Sequence, residues 1–90
     1  MLAGVTPAEV LVDIRGYAAA NRIRLTGHAS LRMQQRGADF RDVRSALMTA
    51  TACTLQDNGS WRLDGGLDRD GEELTVIAAI EQGVVVITVF

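Results

Sequence analysis

The stretch Thr26-Gly-His-Ala-Ser-Leu-Arg-Met-Gln-Gln-Arg-Gly37 decides how the rest of this 90-residue chain is arranged. A threonine at its start is typical of a helix N-cap, and the glycine at its end is typical of the left-handed residue that follows a helix. At about 100° per residue, Ala29 and Met33 face inward. Four polar side chains share another side of the helix: His28, Arg32, Gln35 and Arg36. The pattern predicts a helix with a cationic stripe, and a solvated polar face is the plainer interpretation of the same residues.

The composition predicts a single domain over residues 1–90. Hydrophobic residues make up 48% of the chain, which is enough for a core without metals or disulfides. The chain has one cysteine and one histidine, so neither an intramolecular disulfide nor a zinc cluster can be built. We therefore expect no metal site and no cofactor, and we expect Cys53 to be a small core residue.

The charge is distributed unevenly along the chain. All nine basic residues are arginine, and residues 1–50 hold seven of them against four acidic residues, a net +3. Residues 51–90 hold two arginines against seven acidic residues, a net −5. This asymmetry is compatible with a local anion-binding surface, whereas the overall charge of −2 argues against strong nonspecific binding to nucleic acid.

Neither end of the chain has the pattern of a targeting or membrane segment. The segment Met1 to Val5 is too short and too uncharged for a signal peptide. The apolar segment 74–90 is interrupted at 81–83 by glutamate, glutamine and glycine, so it is not expected to span a bilayer. These features predict a cytoplasmic protein that does not contact membranes.

Two further helices and a short strand are predicted in the first half of the chain. Thr6-Pro7-Ala8-Glu9 has the pattern of a capping box with proline at the first helical position, which predicts a helix over 6–21. The alternation in 22–25 indicates a short strand. Asp39 is a natural N-cap for a third helix. Its inward stripe is predicted to be Phe40, Val43, Ala46, Leu47 and Ala50, with Arg41, Asp42, Arg44 and Ser45 facing away.

After Thr51 the period of the pattern changes to two, which predicts four strands in an antiparallel meander, at 52–57, 60–64, 73–81 and 84–90. Asn58-Gly59 is a hairpin signal, but a two-residue loop there mixes polar and apolar side chains, so we expect a longer loop or a bulge. A two-residue loop at Gln82-Gly83 pairs Ile80 with Val85, Ala78 with Ile87 and Val76 with Val89.

The predicted fold is therefore α+β: about three helices packed on a four-stranded antiparallel meander sheet, with a short fifth strand at 22–25. One face of this sheet takes the helices. The other face is still too apolar for open water. We expect the first helix, a second copy of the chain or a partner protein to cover part of it.

The string from His28 to Gly37, followed by a helix and by the valine-rich segment Gly83–Val89, resembles a family of small bacterial proteins known as domain of unknown function 4258. The family pattern is H-A-x-x-R-M-x-x-R-G followed by an antiparallel sheet. The resemblance covers about residues 23–90, which implies a 6–21 helix appended to a 22–90 toxin-like core. Members of the family look like relatives of the RelE and MqsR toxins, which implies a RelE-like fold, metal-independent cleavage of messenger RNA and a zinc-finger antitoxin as partner.

The resemblance also implies roles for the stripe. Metal-independent RNA cleavage needs a proton acceptor for the 2′-hydroxyl, cations for the charge on phosphorus and a proton donor for the leaving oxygen. His28 and Arg32 would be catalytic, as proton-transfer group and phosphate clamp, while Gln35 and Arg36 would bind substrate. Because His28 and Arg36 lie about 12 Å apart along a helix axis, only His28 and Arg32 are expected to reach one phosphate.

Two functional interpretations follow, and whether the chain is an enzyme stays open at this stage. The first is a toxin-like endoribonuclease of a toxin–antitoxin pair. The alternative is a noncatalytic protein-binding module or homodimer that uses the apolar sheet face, in which the His-Arg stripe fixes the helices to the sheet. The first predicts that replacing His28 and Arg32 abolishes RNA cleavage, and the second predicts that the same changes lower the melting temperature.

Overall fold

The computed structural model describes residues 5–90, and these residues form an α+β fold of three helices and one five-stranded sheet. Most of the segment on which the signal-peptide expectation depends, residues 1–4, lies outside the described residues. Along the chain the elements are α1 (Pro7–Ala19), β1 (Ile23–Leu25), α2 (Gly27–Arg36), α3 (Phe40–Thr49), β2 (Ala52–Leu55), β3 (Trp61–Asp64), β4 (Val76–Ile80) and β5 (Val84–Val89).

The predicted helix caps are confirmed. Thr6 caps α1 through a reciprocal capping box with Glu9. Asp39 caps α3 in the same way with Asp42. Gly37 ends α2 in the left-handed conformation at φ 74°, where its N–H donates to the carbonyls at the end of the helix. Local sequence therefore sets the start of α1 and α3 and the end of α2.

The predicted four-stranded antiparallel meander is confirmed, and the short strand predicted at 22–25 joins it as a parallel fifth strand, so the sheet is mixed. The strand order is β1-β5-β4-β3-β2, and β1 pairs in parallel with β5, with Ile23 opposite Val84 and Leu25 opposite Val86. The remaining pairs are antiparallel, as predicted. Two helices separate β1 from β2 and carry the chain to the opposite edge of the sheet. The partner of β1 is therefore β5, the last strand. The alternation of polar and apolar residues within 22–25 predicts a strand but does not predict which strand it pairs with.

The hairpin between β4 and β5 differs from the predicted register. Its loop has three residues, because Ile80 pairs with Val84, and Ala79 pairs with Val85. A bulge between Ile77 and Ala78 on one strand and Val86 and Thr88 on the other then restores the predicted pair of Val76 with Val89. As a result, Val84 and Val86 face the helices in place of Val85 and Ile87. The β2–β3 hairpin has the longer loop that was expected, with Leu55 opposite Trp61 and Gly59 at φ 86°.

All three helices share one core with a single face of the sheet. Its fully buried side chains include Ile14 of α1, Ala29 of α2, Leu47 of α3, Leu63 of β3 and Val86 of β5. Cys53 is buried as predicted, and its Sγ donates to the Pro7 carbonyl at 3.1 Å. The opposite face, called here the open sheet face, carries half-buried or exposed residues: Arg62, Ile77, Ala79, Val85, Ile87, Thr88 and Phe90.

For two residues of α3, the observed burial is the opposite of the predicted burial. Asp42 was expected to face away but is 8% exposed, because it closes the capping box and contacts Arg69. Phe40 was expected in the inward stripe but is 37% exposed. In the part of the chain that the structure describes, no helix has the length and apolar character needed to cross a membrane.

Candidate functional site: the cationic stripe of helix α2

The start of α2 is fixed to the bulge in β5. The Thr26 side chain accepts from the Ala29 N–H at 3.0 Å and donates to the Ile87 carbonyl at 3.1 Å, while the Thr26 N–H donates to the Val86 carbonyl. Ala29 and Met33 then bury the inner side of the helix. One threonine therefore serves both as N-cap and as the link to the sheet, and it sets which side of α2 faces solvent.

The stripe predicted from the sequence lies on the solvent side of α2. His28 is exposed and makes no hydrogen bond to another residue of 5–90. Arg32 is half-buried, and its Nη1 donates to Gln35 Oε1 at 3.5 Å. The structure thus brings Arg32 and Gln35 into contact and places His28 one turn before Arg32.

Arg36 makes a structural contact with the backbone of a distant segment. Its Nη2 donates to the Glu73 backbone carbonyl at 2.8 Å. This bond ties the last turn of α2 to the segment that precedes β4. Arg36 is exposed and lies two turns from His28.

Arg32 and Arg36 of the stripe differ in their electrostatic surroundings from the arginines that form ion pairs. Helix α2 contains no acidic residue, and within residues 5–90 neither Arg32 nor Arg36 has a carboxylate within 4.0 Å. Three other arginines form ion pairs: Arg24 with Glu81, Arg62 with Asp64, and Arg69 with Asp39 and Asp42. Three more donate to backbone carbonyls: Arg15, Arg22 and Arg44. The charge of α2 is left available to an anion from outside the molecule.

The stripe lies on an open surface. A depression of about 490 Å³ runs along α2, but it lies on another side of the helix and is lined by Gly27, Ser30, Leu31, Met33, Gln34 and Ala38. An exposed imidazole and guanidinium outside a pocket suit an extended ligand such as a polymer backbone better than a small molecule, which requires a concave site.

A second group of arginines, which was not predicted from the sequence, forms a site that we call the arginine pocket. It is a depression of about 380 Å³ lined by Arg41, Arg44, Ser45, Met48, Thr49 and Arg69. The spacing of Arg41 and Arg44 on one helix was a signal for part of it. No local pattern indicates that Arg69, 25 residues beyond Arg44, reaches the same place.

Arg69 is held there by the two carboxylates at the start of α3. Its Nη2 donates to Asp39 at 2.8 Å and its Nε donates to Asp42 at 3.3 Å. Hydrogen bonds from the backbone N–H groups of Asp39 and then Arg69 lower the pKa of Asp42 below its usual value. The hydrogen bond to Asp42 and the charge of Asp39 raise the pKa of Arg69.

The remaining chemistry-bearing side chains of the described part do not form a further centre. Among residues 5–90, no group of three histidine, cysteine, aspartate or glutamate side chains is placed to hold a metal ion. Burial raises the pKa of the Cys53 thiol, which disfavours the reactive thiolate form.

Fold and surface together define a small α+β domain that presents a cationic helix beside a mixed sheet. A family model described as "Domain of unknown function (DUF4258)" matches residues 25–90, and the chain belongs to this family. The match begins within β1 and leaves α1 outside. Its first residue is close to residue 23, where the resemblance inferred from the sequence begins. Searches of the curated proteins and of the solved structures found no match for the chain.

Proposed function

We propose that the chain is a toxin-like endoribonuclease that cleaves RNA without a metal ion, with His28 and Arg32 in the site. One observation carries this proposal. An exposed imidazole and a guanidinium lie one turn apart on a helix without acidic residues, and no carboxylate of residues 5–90 lies within 4.0 Å of Arg32.

The proposed reaction is attack of the ribose 2′-oxygen on the adjacent phosphorus. His28 takes the proton from the 2′-hydroxyl, since histidine exchanges protons in the physiological pH range. The bond from phosphorus to the 5′-oxygen breaks and water gives that oxygen its proton. The hydroxide that remains takes the proton from His28, and the products are a 2′,3′-cyclic phosphate and a free 5′-hydroxyl. Arg32 stabilises the charge on the phosphoryl oxygens through paired N–H groups.

The contacts of the stripe support a division of roles. Residues four apart on a helix are neighbours, about 5–6 Å apart at Cβ, so His28 and Arg32 can contact one phosphodiester group. Gln35 accepts a hydrogen bond from Arg32 and so orients its guanidinium, besides offering an amide to substrate. Arg36 is tied to the Glu73 carbonyl and is placed for a neighbouring phosphate only.

The proposal includes a biological setting. A RelE-like toxin acts in the bacterial cytoplasm, where messenger RNA is found, and is held inactive by an antitoxin protein. The acid-free stripe supplies a surface that an antitoxin would have to cover or distort to block RNA.

The proposal can be tested with purified protein and single-stranded RNA in a buffer that contains EDTA. We expect His28→Gln to lower the cleavage rate about 10²–10⁴-fold, and Arg32→Gln to lower it about 10²–10³-fold. Arg24→Gln is the matched control, because Arg24 is an exposed arginine outside α2 and its side chain is 69% exposed. We expect this control to cleave like the wild type.

Two results would contradict the proposal. The first is a wild-type chain that leaves RNA intact. The second is cleavage that persists unchanged in both His28→Gln and Arg32→Gln, since an activity that needs neither residue does not use the stripe. Melting curves of each variant separate a lost catalytic group from a lost fold.

The open sheet face favours a second candidate function, that of a protein-binding module or homodimer. Phe90 is 42% exposed on this face, with the Arg62 guanidinium 5.3 Å from its ring centre. Ile77, Ala79 and Val85 are only half-buried although they belong to the middle strands of the sheet. A chain that forms a stable dimer and cleaves no RNA would favour this function over the first.

A further inference from the structure

The arginine pocket lies outside the stripe and has no part in the reaction proposed above. Three arginines line it, Arg41 and Arg44 of α3 and Arg69 of the loop before β4. Its lining also includes the Ser45 hydroxyl and the apolar side chain of Met48, and no carboxylate lines it. The lining therefore combines positive charge with an apolar wall.

Within residues 5–90, two of the three arginines of this pocket, Arg41 and Arg44, have no carboxylate within 4.0 Å. Asp39 and Asp42, the acidic residues at the start of α3, are both engaged by Arg69. Arg44 is fixed by bonds from Nε to the Ala18 carbonyl at 2.9 Å and from Nη2 to the Ala19 carbonyl at 3.3 Å. These bonds hold two guanidinium groups in place before any ligand arrives, which lowers the entropy cost of binding.

Arg41 is the uncommitted member of the group. It is exposed, and within residues 5–90 it makes no hydrogen bond or ion pair. The half-buried Ser45 hydroxyl one turn later also makes no hydrogen bond there. The pocket thus offers one free guanidinium, one free hydroxyl and two guanidinium groups that are already oriented.

We propose that the arginine pocket is a second RNA-binding site, which takes a phosphate and its attached nucleoside from the strand that the stripe cleaves. This inference rests on the proposed function for the identity of the ligand. Arginine binds phosphate through two parallel N–H groups and also stacks on bases. A volume of about 380 Å³ is larger than a phosphate needs, and Met48 gives a base or ribose an apolar surface.

The two sites are close enough for one strand. Arg41, at the start of α3, comes five positions after Arg36 at the end of α2, so their Cα atoms lie at most about 18 Å apart. Single-stranded RNA of several nucleotides covers that distance, and binding sites of about 4–16 nucleotides are usual for proteins that bind single strands. A nucleotide suits the pocket better than an acidic peptide does, because a base can stack on a guanidinium plane, whereas a peptide carboxylate offers only its charge.

The test measures binding separately from cleavage. A fluorescently labelled 12-nucleotide RNA with 2′-O-methyl groups cannot be cut at the 2′-oxygen, and its dissociation constant is measured by anisotropy at several salt concentrations. We expect Arg41→Gln to weaken binding about tenfold and to lower the slope of log K against log salt by about 0.7, the loss of one phosphate contact. Arg24→Gln is again the control and should leave both quantities unchanged.

The outcomes distinguish this site from the proposed ribonuclease. Weaker binding by Arg41→Gln together with a wild type that cuts no RNA would support the pocket and reject the catalytic proposal. Equal binding by Arg41→Gln and Arg24→Gln would overturn the pocket even if the stripe cleaves RNA. A change at Arg41 that weakens binding of poly-glutamate while leaving RNA binding intact would identify the pocket as a protein-binding site, and would also overturn the inference.

Discussion

Helices α2 and α3 are ten residues long each and each carries arginines at helical spacing, but they use them differently. On α3 the acidic residues Asp39 and Asp42 close a capping box and also bind Arg69, so that the helix and the loop before β4 form one bonded unit. We call this unit the clasp. On α2 no acidic residue is present, and within residues 5–90 the Arg32 side chain donates a hydrogen bond only to the neutral amide of Gln35.

The difference shows what decides the role of an arginine in this molecule. In the composition, all nine arginines are equivalent. In the structure, carboxylates and carbonyl oxygens bind the side chains of most of them, so that these arginines stabilise the fold. An arginine without such a partner adds little to folding and keeps its charge for a ligand. The predictions below test whether the clasp maintains the fold while the stripe is left free for function.

The largest expected effect is at Gly66, where the loop before β4 passes the backbone of α3. A Cβ added to Gly66 would collide with the Ala46 carbonyl group. Since both atoms belong to the backbone or are fixed to it, neither can move cheaply, and we expect Gly66→Ala to lower the free energy of unfolding by about 2–3 kcal/mol. Gly27→Ala at the start of α2 is the matched control, because a Cβ there meets nothing within 4 Å.

Urea denaturation of the two variants is the measurement. We expect Gly27→Ala to stay within about 0.5 kcal/mol of the wild type. Equal stability of the two alanine variants would mean that the loop can move away from α3 at Gly66. It would contradict the inference that the clasp is close-packed while α2 is open.

The second effect is a pH dependence at Asp42. Its pKa is lowered in the folded protein, chiefly by the Asp39 N–H and then by the Arg69 N–H. A lowered pKa means that the carboxylate contributes stability above the unfolded value of about 3.9, and that this contribution is lost as the pH falls through the folded pKa. We therefore expect Asp42→Asn to melt below the wild type at pH 7, and the two melting temperatures to converge below about pH 4.

Circular dichroism melts between pH 7 and pH 3 check this expectation. Asp57→Asn is the control, because Asp57 is exposed in the β2–β3 loop and makes no hydrogen bond through its side chain in residues 5–90. A gap between wild type and Asp42→Asn that stays constant down to pH 3 would show that the charge of Asp42 does not stabilise the clasp.

The sequence predicted those parts of the fold that depend on neighbours along the chain. The caps at Thr6, Thr26 and Asp39 and the left-handed Gly37 follow from side chains within three or four residues of each helix end. The parallel partner of β1 and the bulge beside Ile77 depend on contacts between distant segments. A two-residue period in the sequence predicts alternation and does not predict where a bulge interrupts it.

The candidate site shows the same limit. The stripe was predicted because its members share one helix, whereas the arginine pocket combines α3 with a loop at Arg69. The sequence analysis also placed Asp42 among outward-facing residues. The burial of Asp42 depends on Arg69, 27 residues later, and on a loop conformation that no short motif specifies.

The smallest expected effect is the difference in the free energy of unfolding between two variants of the stripe, Arg36→Gln and Arg32→Gln. Arg36→Gln removes the bond from Nη2 to the Glu73 carbonyl, so we expect the free energy of unfolding to fall by about 0.5–1 kcal/mol. Arg32→Gln removes only the contact with Gln35 at 3.5 Å, and we expect a change within about 0.5 kcal/mol. For RNA cleavage we expect the reverse order, since the proposed function makes Arg32 the phosphate clamp and Arg36 a support. Chemical denaturation and cleavage rates measured on the same two proteins give both orders. If Arg32→Gln were the less stable of the pair, the stripe would be fixing α2 to the sheet, and the noncatalytic interpretation would be the better one.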